Sequence, residues 1–261
     1  VRTLIVTTAG RTDERMISLA KQIAEDLSTT YIERRKSSVE EIQQKYNHDV
    51  LVVGKNRLEL HTLNKQEPFF FHPNSAMFRI KRLMNREDDP LIKAAGLKEG
   101  MSFLDCTLGL GSDSIVASFI VGNQGKAVGI EGNELLSYLV KTGLHTWDSG
   151  IENFNQAMQR VNVINKDHLD YLKSCSSKSF DIVYFDPMFE EAIDESNGIS
   201  ALKNIAVYKN ITNEVIEEAR RVAIKKVILK DHWKSERFDR FGFSVLKRKT
   251  AKFHFGALHL E

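Results

Sequence analysis

Cysteine is scarce in this chain of 261 residues: Cys106 and Cys175 are the only two. They match no metal-ligand spacing and read as two small, partly buried thiols rather than a disulfide. The eight histidines are scattered. There is no H-E-x-x-H pair, no Ser-His-Asp arrangement and no phosphate-loop lysine, so no metal is expected. Long apolar runs are missing as well: none approaches the roughly 20 residues that span a bilayer. Residues 1–10 lack the basic start and apolar stretch of a signal peptide, and the expectation is a cytoplasmic protein with no membrane partner. Excess charge of one sign is absent, since 37 basic and 35 acidic residues leave a net +2. Global charge therefore does not announce a nucleic-acid binder. Local basic clusters at residues 34–36, 79–86, 220–226 and 247–252 leave that open, each being by itself compatible with a solvated face. No repeat, low-complexity tract or Gly/Ser linker occurs. A 42% hydrophobic content is enough for one large domain, or for one with a small appendage.

What is present falls into two parts. Residues 3–8 form a β-branched apolar run, hence a strand. Thr12 or Asp13 caps the following helix, in which Met16, Leu19, Ala20, Ile23 and Leu27 recur at helical spacing. A short strand at 31–32, a helix at 38–45 and strands at 49–53 and 57–63, turned by Gly54-Lys55-Asn56, complete a small α/β domain. It covers residues 1–71, carries no catalytic motif, and is expected to take part in substrate recognition. From residue 89 strands and helices alternate regularly. Helices are expected at 90–95 (closed by Gly96), 113–121, 134–145, 151–159 and 212–222. Strands are expected at 102–104, 127–130, 161–164, 180–185 and 226–229, with a last pair at 243–247 and 252–259. Repeated βα units imply a parallel sheet with helices on both faces, and the closing pair an antiparallel edge. The second domain is expected to cover residues 72–261.

The most informative stretch is Asp105-Cys106-Thr107-Leu108-Gly109-Leu110-Gly111-Ser112-Asp113, a strand end, a glycine-rich turn and a helix start. Ligands of open α/β sheets sit beyond the carboxyl ends of the strands, where glycines let backbone pass close to them. A dinucleotide site would want a third glycine where Ser114 stands, and a turn free of negative charge for the pyrophosphate. Asp105 and Asp113 oppose a pyrophosphate and suit the ammonium and sulfonium charges of S-adenosylmethionine (SAM). The candidate contacts in this turn are Asp105, Thr107, Gly109 and Gly111. Glu131 ends the next strand, where a carboxylate can accept hydrogen bonds from ribose hydroxyls; this also fits NAD. Asp167 and His168 follow the third strand and can hold an adenine amino group, or Asp167 can cap a helix. The fourth strand ends in Phe185-Asp186-Pro187-Met188-Phe189. The exocyclic amine of a base is a poor nucleophile because its lone pair is delocalised. Asp186 and the carbonyl of Pro187 can accept its N–H bonds, and Phe189 can stack on the base.

With these residues in view, the chain from about Leu58 to Ala257 resembles the bacterial ribosomal RNA small subunit methyltransferase J family of guanine-N2 methyltransferases. The likeness is carried by Leu58-Glu59-Leu60, Arg79-Ile80-Lys81-Arg82, residues 91–96 and the D-x-T-x-G-L-G-x-D turn. It continues through Glu131, Asp186-Pro187-Met188-Phe189, Val227-Ile228-Leu229-Lys230 and the stretch from Phe253 to Gly256. It implies a Rossmann-like class I SAM-dependent methyltransferase with a seven-stranded sheet and an antiparallel last hairpin, behind the small N-terminal α/β domain. It also implies SAM contacts at Ser112-Asp113, Glu131-Gly132, Asp167-His168 and Asp186, and methyl transfer to a guanosine N2 of ribosomal RNA or the small ribosomal subunit. From their clustering and this likeness, Lys81, Arg82, Lys230 and residues 247–249 are candidate phosphate contacts, with Met188 and Phe189 beside the acceptor. Ser112 stands where the family usually has arginine, and Glu190 where it has proline. An amine acceptor in DNA or a small molecule stays open, as does a catalytically silent SAM-fold binding protein. An NAD-linked oxidoreductase is opposed by Ser114 and Asp105. No oligomeric state is implied.

Overall fold

The computed structural model describes residues 4–63, 67–187, 210–249 and 251–260. Among these residues the chain divides into two compact units, one ending at His72 and one beginning at Pro73.

The first unit holds β1 (Leu4–Thr8), α1 (Glu14–Asp26), β2 (Thr30–Tyr31), α2 (Val39–Tyr46), β3 (Asp49–Val53) and β4 (Leu58–His61). Asp13 caps α1 by accepting from the Met16 amide at 2.8 Å. Ser38 and Glu41 bond each other's backbone at the start of α2, the reciprocal arrangement that satisfies two otherwise orphaned amides. The sheet order is β2-β1-β3-β4, with only β4 antiparallel. β3 is buried along its whole length, which is why it reads as an unbroken apolar run rather than an alternating one. The Gly54 amide donates to the Arg57 carbonyl at 3.0 Å and closes the β3–β4 turn.

The second unit opens with α3 (Asn74–Met84) and α4 (Pro90–Ala95). Then come β5 (Ser102–Asp105), α5 (Ser112–Val121), β6 (Lys126–Glu131), α6 (Glu134–Thr146), α7 (Glu152–Gln159) and β7 (Val161–Asn165). α8 (His168–Ser174), β8 (Phe180–Phe185), α9 (Asn213–Val222), β9 (Ala223–His232), α10 (Arg237–Phe241), β10 (Ser244–Leu246) and β11 (Phe253–His259) follow. Seven strands form one sheet in the order β10-β11-β9-β8-β5-β6-β7. β5 to β9 are mutually parallel, while β11 runs antiparallel between β9 and β10. This is the seven-stranded, doubly wound arrangement with an antiparallel last pair.

Successive side chains of a strand point to opposite faces, and β8 shows the consequence. Ile182 and Tyr184 pack with Leu91, Phe103 and Ala117 on one face. Val183 and Phe185 pack with Leu104, Val215 and Ile216 on the other. β5 pairs with both β6 and β8, so the strand order reverses there. That reversal leaves a crevice beyond the carboxyl ends of β5 and β8, where such sheets take their ligands.

Three helices lie outside the expected pattern: α3, α8 and α10. α3 buries only Ala76 and Ile80, and α8 only Leu172, too few apolar positions to register as a period. β9 runs for ten residues where a strand of four was expected. Its lysines hide it: Lys225 pairs with Asp181 at 2.8 Å, and Lys226 donates to the Ala94 carbonyl at 3.1 Å. Among the described residues no helix is long and apolar enough to cross a membrane, and no cluster of metal-ligating side chains occurs.

Candidate functional site

The turn after β5 is built on two glycines in the left-handed region, Gly109 at φ 51° and Gly111 at φ 76°. Gly111 precedes the first residue of α5, so the chain reverses just ahead of the helix start. Leu108 fastens the turn. Its amide donates to the Ile130 carbonyl at 3.0 Å, and its side chain folds onto Gly129 in β6. A methyl group on Gly129 would approach Leu108 Cδ1 to 2.3 Å. The variant Gly129→Ala is therefore expected to push Leu108 out of the turn, destabilise the second unit by about 1–3 kcal/mol and weaken SAM binding together. Thermal unfolding and a SAM titration of the same preparation check this.

Four carboxylates converge near the turn. Asp105 is buried, accepting from the Thr107 amide at 2.9 Å, the Thr107 hydroxyl at 3.3 Å and the Ser114 hydroxyl at 2.8 Å. Burial raises its carboxyl to about 7, helped by the charges of Asp113 and Asp186 and opposed by those hydrogen bonds. Among the described residues no cation lies within ion-pair distance of it. Glu131, at the end of β6, accepts from the Gly109 amide at 3.2 Å and the Asn133 amide at 2.9 Å. Burial pushes its carboxyl up against the pull of these amides. The third strand's candidates divide. Asp167 caps α8, accepting from the Leu169 amide at 3.0 Å and the Asp170 amide at 3.2 Å. His168 sets its ring edge-on to Phe185, 6.2 Å between centroids.

Asp113 sits in an ion network that joins α3, α5, β8 and β9. Its carboxylate meets the Arg79 guanidinium, the Tyr184 hydroxyl at 2.8 Å and the Lys230 ammonium at 3.3 Å. Burial alone would push the Asp113 carboxyl up, but the charges of Lys230 and Arg79 outweigh it and hold it well below the usual carboxylate range. Arg79 also forks onto Asp89 at 2.7 and 2.9 Å, while Asp89 itself caps α4. Lys230 reaches Asp186 Oδ2 at 2.5 Å. The Asp186 amide donates to the Thr107 hydroxyl at 2.6 Å, tying the end of β8 to the turn after β5. Burial lifts the Asp186 carboxyl to about 6; Lys230 opposes this and Asp113 adds to it.

Asp105, Thr107, Asp113, Asp186 and Lys230 are thus linked by direct hydrogen bonds or shared partners, and Glu131 separately holds Gly109 of the same turn. Ser112 opens α5, and Gly132 is exposed after β6. Pro187 is buried beside Asp186. Lys81 and Arg82 lie on the exposed side of α3, where Arg82 pairs with Glu87 at 2.8 Å. Met188 and Phe189 lie outside the described residues. Arg79, Asp89, Tyr184 and Ser114 complete the network without having been singled out as site residues. The Asp89-Pro90 pair was a readable helix start, but the partners of Arg79 and Tyr184 leave no local signature.

This acidic crevice with its glycine turn suits a ligand that carries positive charge, can lie close to backbone, and has hydrogen-bond donors to offer. An amino acid sulfonium attached to a nucleoside satisfies all three. A family profile described as "Putative SAM-dependent methyltransferase" matches residues 34–254. The chain belongs to this family of SAM-dependent methyltransferases, and its cofactor is SAM.

The chain is 51% identical over 254 residues to the uncharacterized protein YpiP of Bacillus subtilis, covering 97% of this chain and 98% of that one. It is distantly similar, 25% identical over 215 residues, to ribosomal RNA small subunit methyltransferase J of Buchnera aphidicola, covering 76% of this chain and 84% of the relative. In fold it matches the SAM-dependent methyltransferase NGO1261 from Neisseria gonorrhoeae with a TM-score of 0.63 at 15% identity, covering 98% of this chain and 95% of the other.

Proposed function

We propose that this methyltransferase acts on the exocyclic amine of a nucleic-acid base, with a guanosine N2 of small-subunit ribosomal RNA as the leading acceptor and the cytoplasm as the place of reaction. The observation that carries the reading is the placement of Asp186 and Pro187. They stand at the carboxyl end of β8, bonded through Thr107 to the glycine turn, beside Asp105, which has no cation within ion-pair distance among the described residues. The distant likeness to ribosomal RNA small subunit methyltransferase J supports the choice of acceptor.

When bound, SAM supplies an electrophilic methyl group. The chain's part is to hold the amine in line with it. Asp186 Oδ1 and the Pro187 carbonyl accept the N–H bonds of the amine, while Lys230 anchors the other carboxylate oxygen at 2.5 Å. Drawing the N–H groups toward acceptors localises the nitrogen lone pair, and an ionised Asp186 can receive the proton that the amine sheds. Asp105 and Glu131 we assign to the cofactor's cationic and ribose ends. Ser112, Asp113, Gly132, Asp167 and His168 we assign to the cofactor as well, on the likeness to ribosomal RNA small subunit methyltransferase J. Met188 and Phe189 we assign to the acceptor base, and Lys81 and Arg82 to phosphates. The small N-terminal unit we assign to substrate recognition.

Only the ionised carboxylate of Asp186 accepts from Lys230 at one oxygen and from the amine at the other and can still take up the proton that the amine sheds. Its carboxyl is raised to about 6, so the charged form is lost as the pH falls through that value. The single-turnover rate at saturating SAM is expected to fall about tenfold per pH unit below roughly pH 6 and to level off above it. The deciding experiment is transfer of labelled methyl from SAM to small ribosomal subunits lacking their natural methylations, followed by nucleoside analysis. Label on a guanosine N2 establishes the acceptor. Label on DNA or a metabolite instead, with ribosomal RNA unlabelled, overturns it.

A further inference from the structure

From Asp186 toward the sheet edge runs a strip of aromatic and basic side chains of which the proposed methyl transfer uses only Lys230. The Lys230 ammonium, already on Asp186, lies 6.0 Å from the ring centre of Phe253. Phe253 is the register partner of His232, and the His232 ring stands 5.9 Å from that of Trp233, tilted by 42°. The Trp233 amide donates to the Lys252 carbonyl at 3.0 Å, which pins its backbone against the start of β11. Trp233 as a residue nevertheless remains 53% exposed.

The Lys234 ammonium sits 5.1 Å from the indole centre. The β10–β11 connection adds Lys247, Arg248, Lys249 and Lys252 at the same end of the sheet, three of them exposed. The nearest acid in sequence, Asp231, does not offset them. It is buried and engaged by Ser235 at 2.6 Å and Arg237 at 2.9 Å. At a strand rise of about 3.3 Å per residue, Trp233 lies about 10 Å beyond Lys230 on the carboxyl side of the sheet.

A single exposed apolar side chain is ordinary. An indole with a fixed backbone, framed by cations and joined by a line of rings and charges to the proposed acceptor site, has the features of a single-strand stacking platform. Every base has a π-face, and cations beside it track the phosphates. We propose that Trp233 stacks an unpaired base flanking the methylated nucleotide, with Lys234 and the β10–β11 connection holding the adjoining phosphates. This rests on the RNA reading of the Asp186 site.

The test has two arms on the full-length protein, with SAM affinity as the folding check for each variant. In the first, a short unstructured oligoribonucleotide is titrated against tryptophan fluorescence. Quenching is expected in the wild type and absent in W233F, which leaves only Trp147 to report. W233A is expected to weaken binding about 5- to 100-fold, and W233F far less because a phenyl ring still stacks. The double variant K247E/R248E is expected to reduce the salt dependence of binding. In the second arm, the KM of W233A for undermethylated small subunits is expected to rise in proportion.

Equal affinity of W233A and wild type, or quenching that persists in W233F, overturns the platform. Transfer to ribosomal RNA with an unchanged KM in W233A overturns the platform and leaves the acceptor reading standing. Trp233-dependent binding without any transfer to ribosomal RNA does the reverse: the platform stands for another RNA, and the acceptor reading falls.

Discussion

Replacing Asp186 with alanine is expected to lower the single-turnover rate of methyl transfer by about 10²–10³-fold, the usual consequence of removing one pre-organised group from a reacting centre. The argument rests on what the side chain is fastened to. Lys230 holds Oδ2 at 2.5 Å, and the backbone amide holds the Thr107 hydroxyl at 2.6 Å. The carboxylate therefore stands in place before an amine arrives, with no reorganisation left to do. Alanine keeps the backbone bond to Thr107 and removes only the acceptor. SAM affinity is accordingly expected to change by much less than the rate. Asp186→Asn keeps the shape and one acceptor oxygen but not the charge, and should fall between the two. Rapid-quench measurements with labelled SAM, paired with calorimetric SAM titrations, separate the effects. A rate unchanged within about threefold in the alanine variant would remove Asp186 from the reaction.

The largest effect on stability is expected at Arg79. Its guanidinium serves two buried carboxylates at once, forking onto Asp89 and meeting Asp113. Arg79→Met keeps much of the side-chain bulk but strands both acids. Breaking a buried ion pair from one side leaves an uncompensated charge and costs about 3–5 kcal/mol. Asp113 retains Lys230 and Tyr184, and Asp89 retains the amides of α4, so the lower half of that range is the better expectation. Arg79→Lys restores the charge without the planar fork, reaches one carboxylate rather than two, and should recover part of the loss. Urea denaturation at neutral pH, read from the midpoint at constant slope, gives the number. A loss below about 1 kcal/mol would mean that water already screens these acids as it does surface pairs.

Much of the molecule was written locally. Apolar periodicity marked α1 and α9, and short apolar runs marked β3 and β8, because each pattern needs only the element's own residues. Asp13, Ser38 and Gly96 end their helices through hydrogen bonds and backbone angles confined to a few neighbours. The glycine turn was equally readable from its own residues, with Asp105 and Glu131 at the strand ends beside it, where such sheets take their ligands.

The ion network was not readable, and neither was the exact order of the last two strands. Arg79 meets its partner 34 positions away, and Lys230 meets Asp186 at a separation of 44 and Asp113 at 117. Nothing in the flanking residues distinguishes such a lysine from one that awaits a phosphate. Asp167 was legible as a cap or as a ligand contact, and the fold shows it engaged as a cap. Sequence therefore decided most of the strands, most of the helices and the glycine turn, because those choices are settled within one turn of backbone. The tertiary structure alone decided which charges neutralise one another, because that depends on which strand ends the sheet brings side by side.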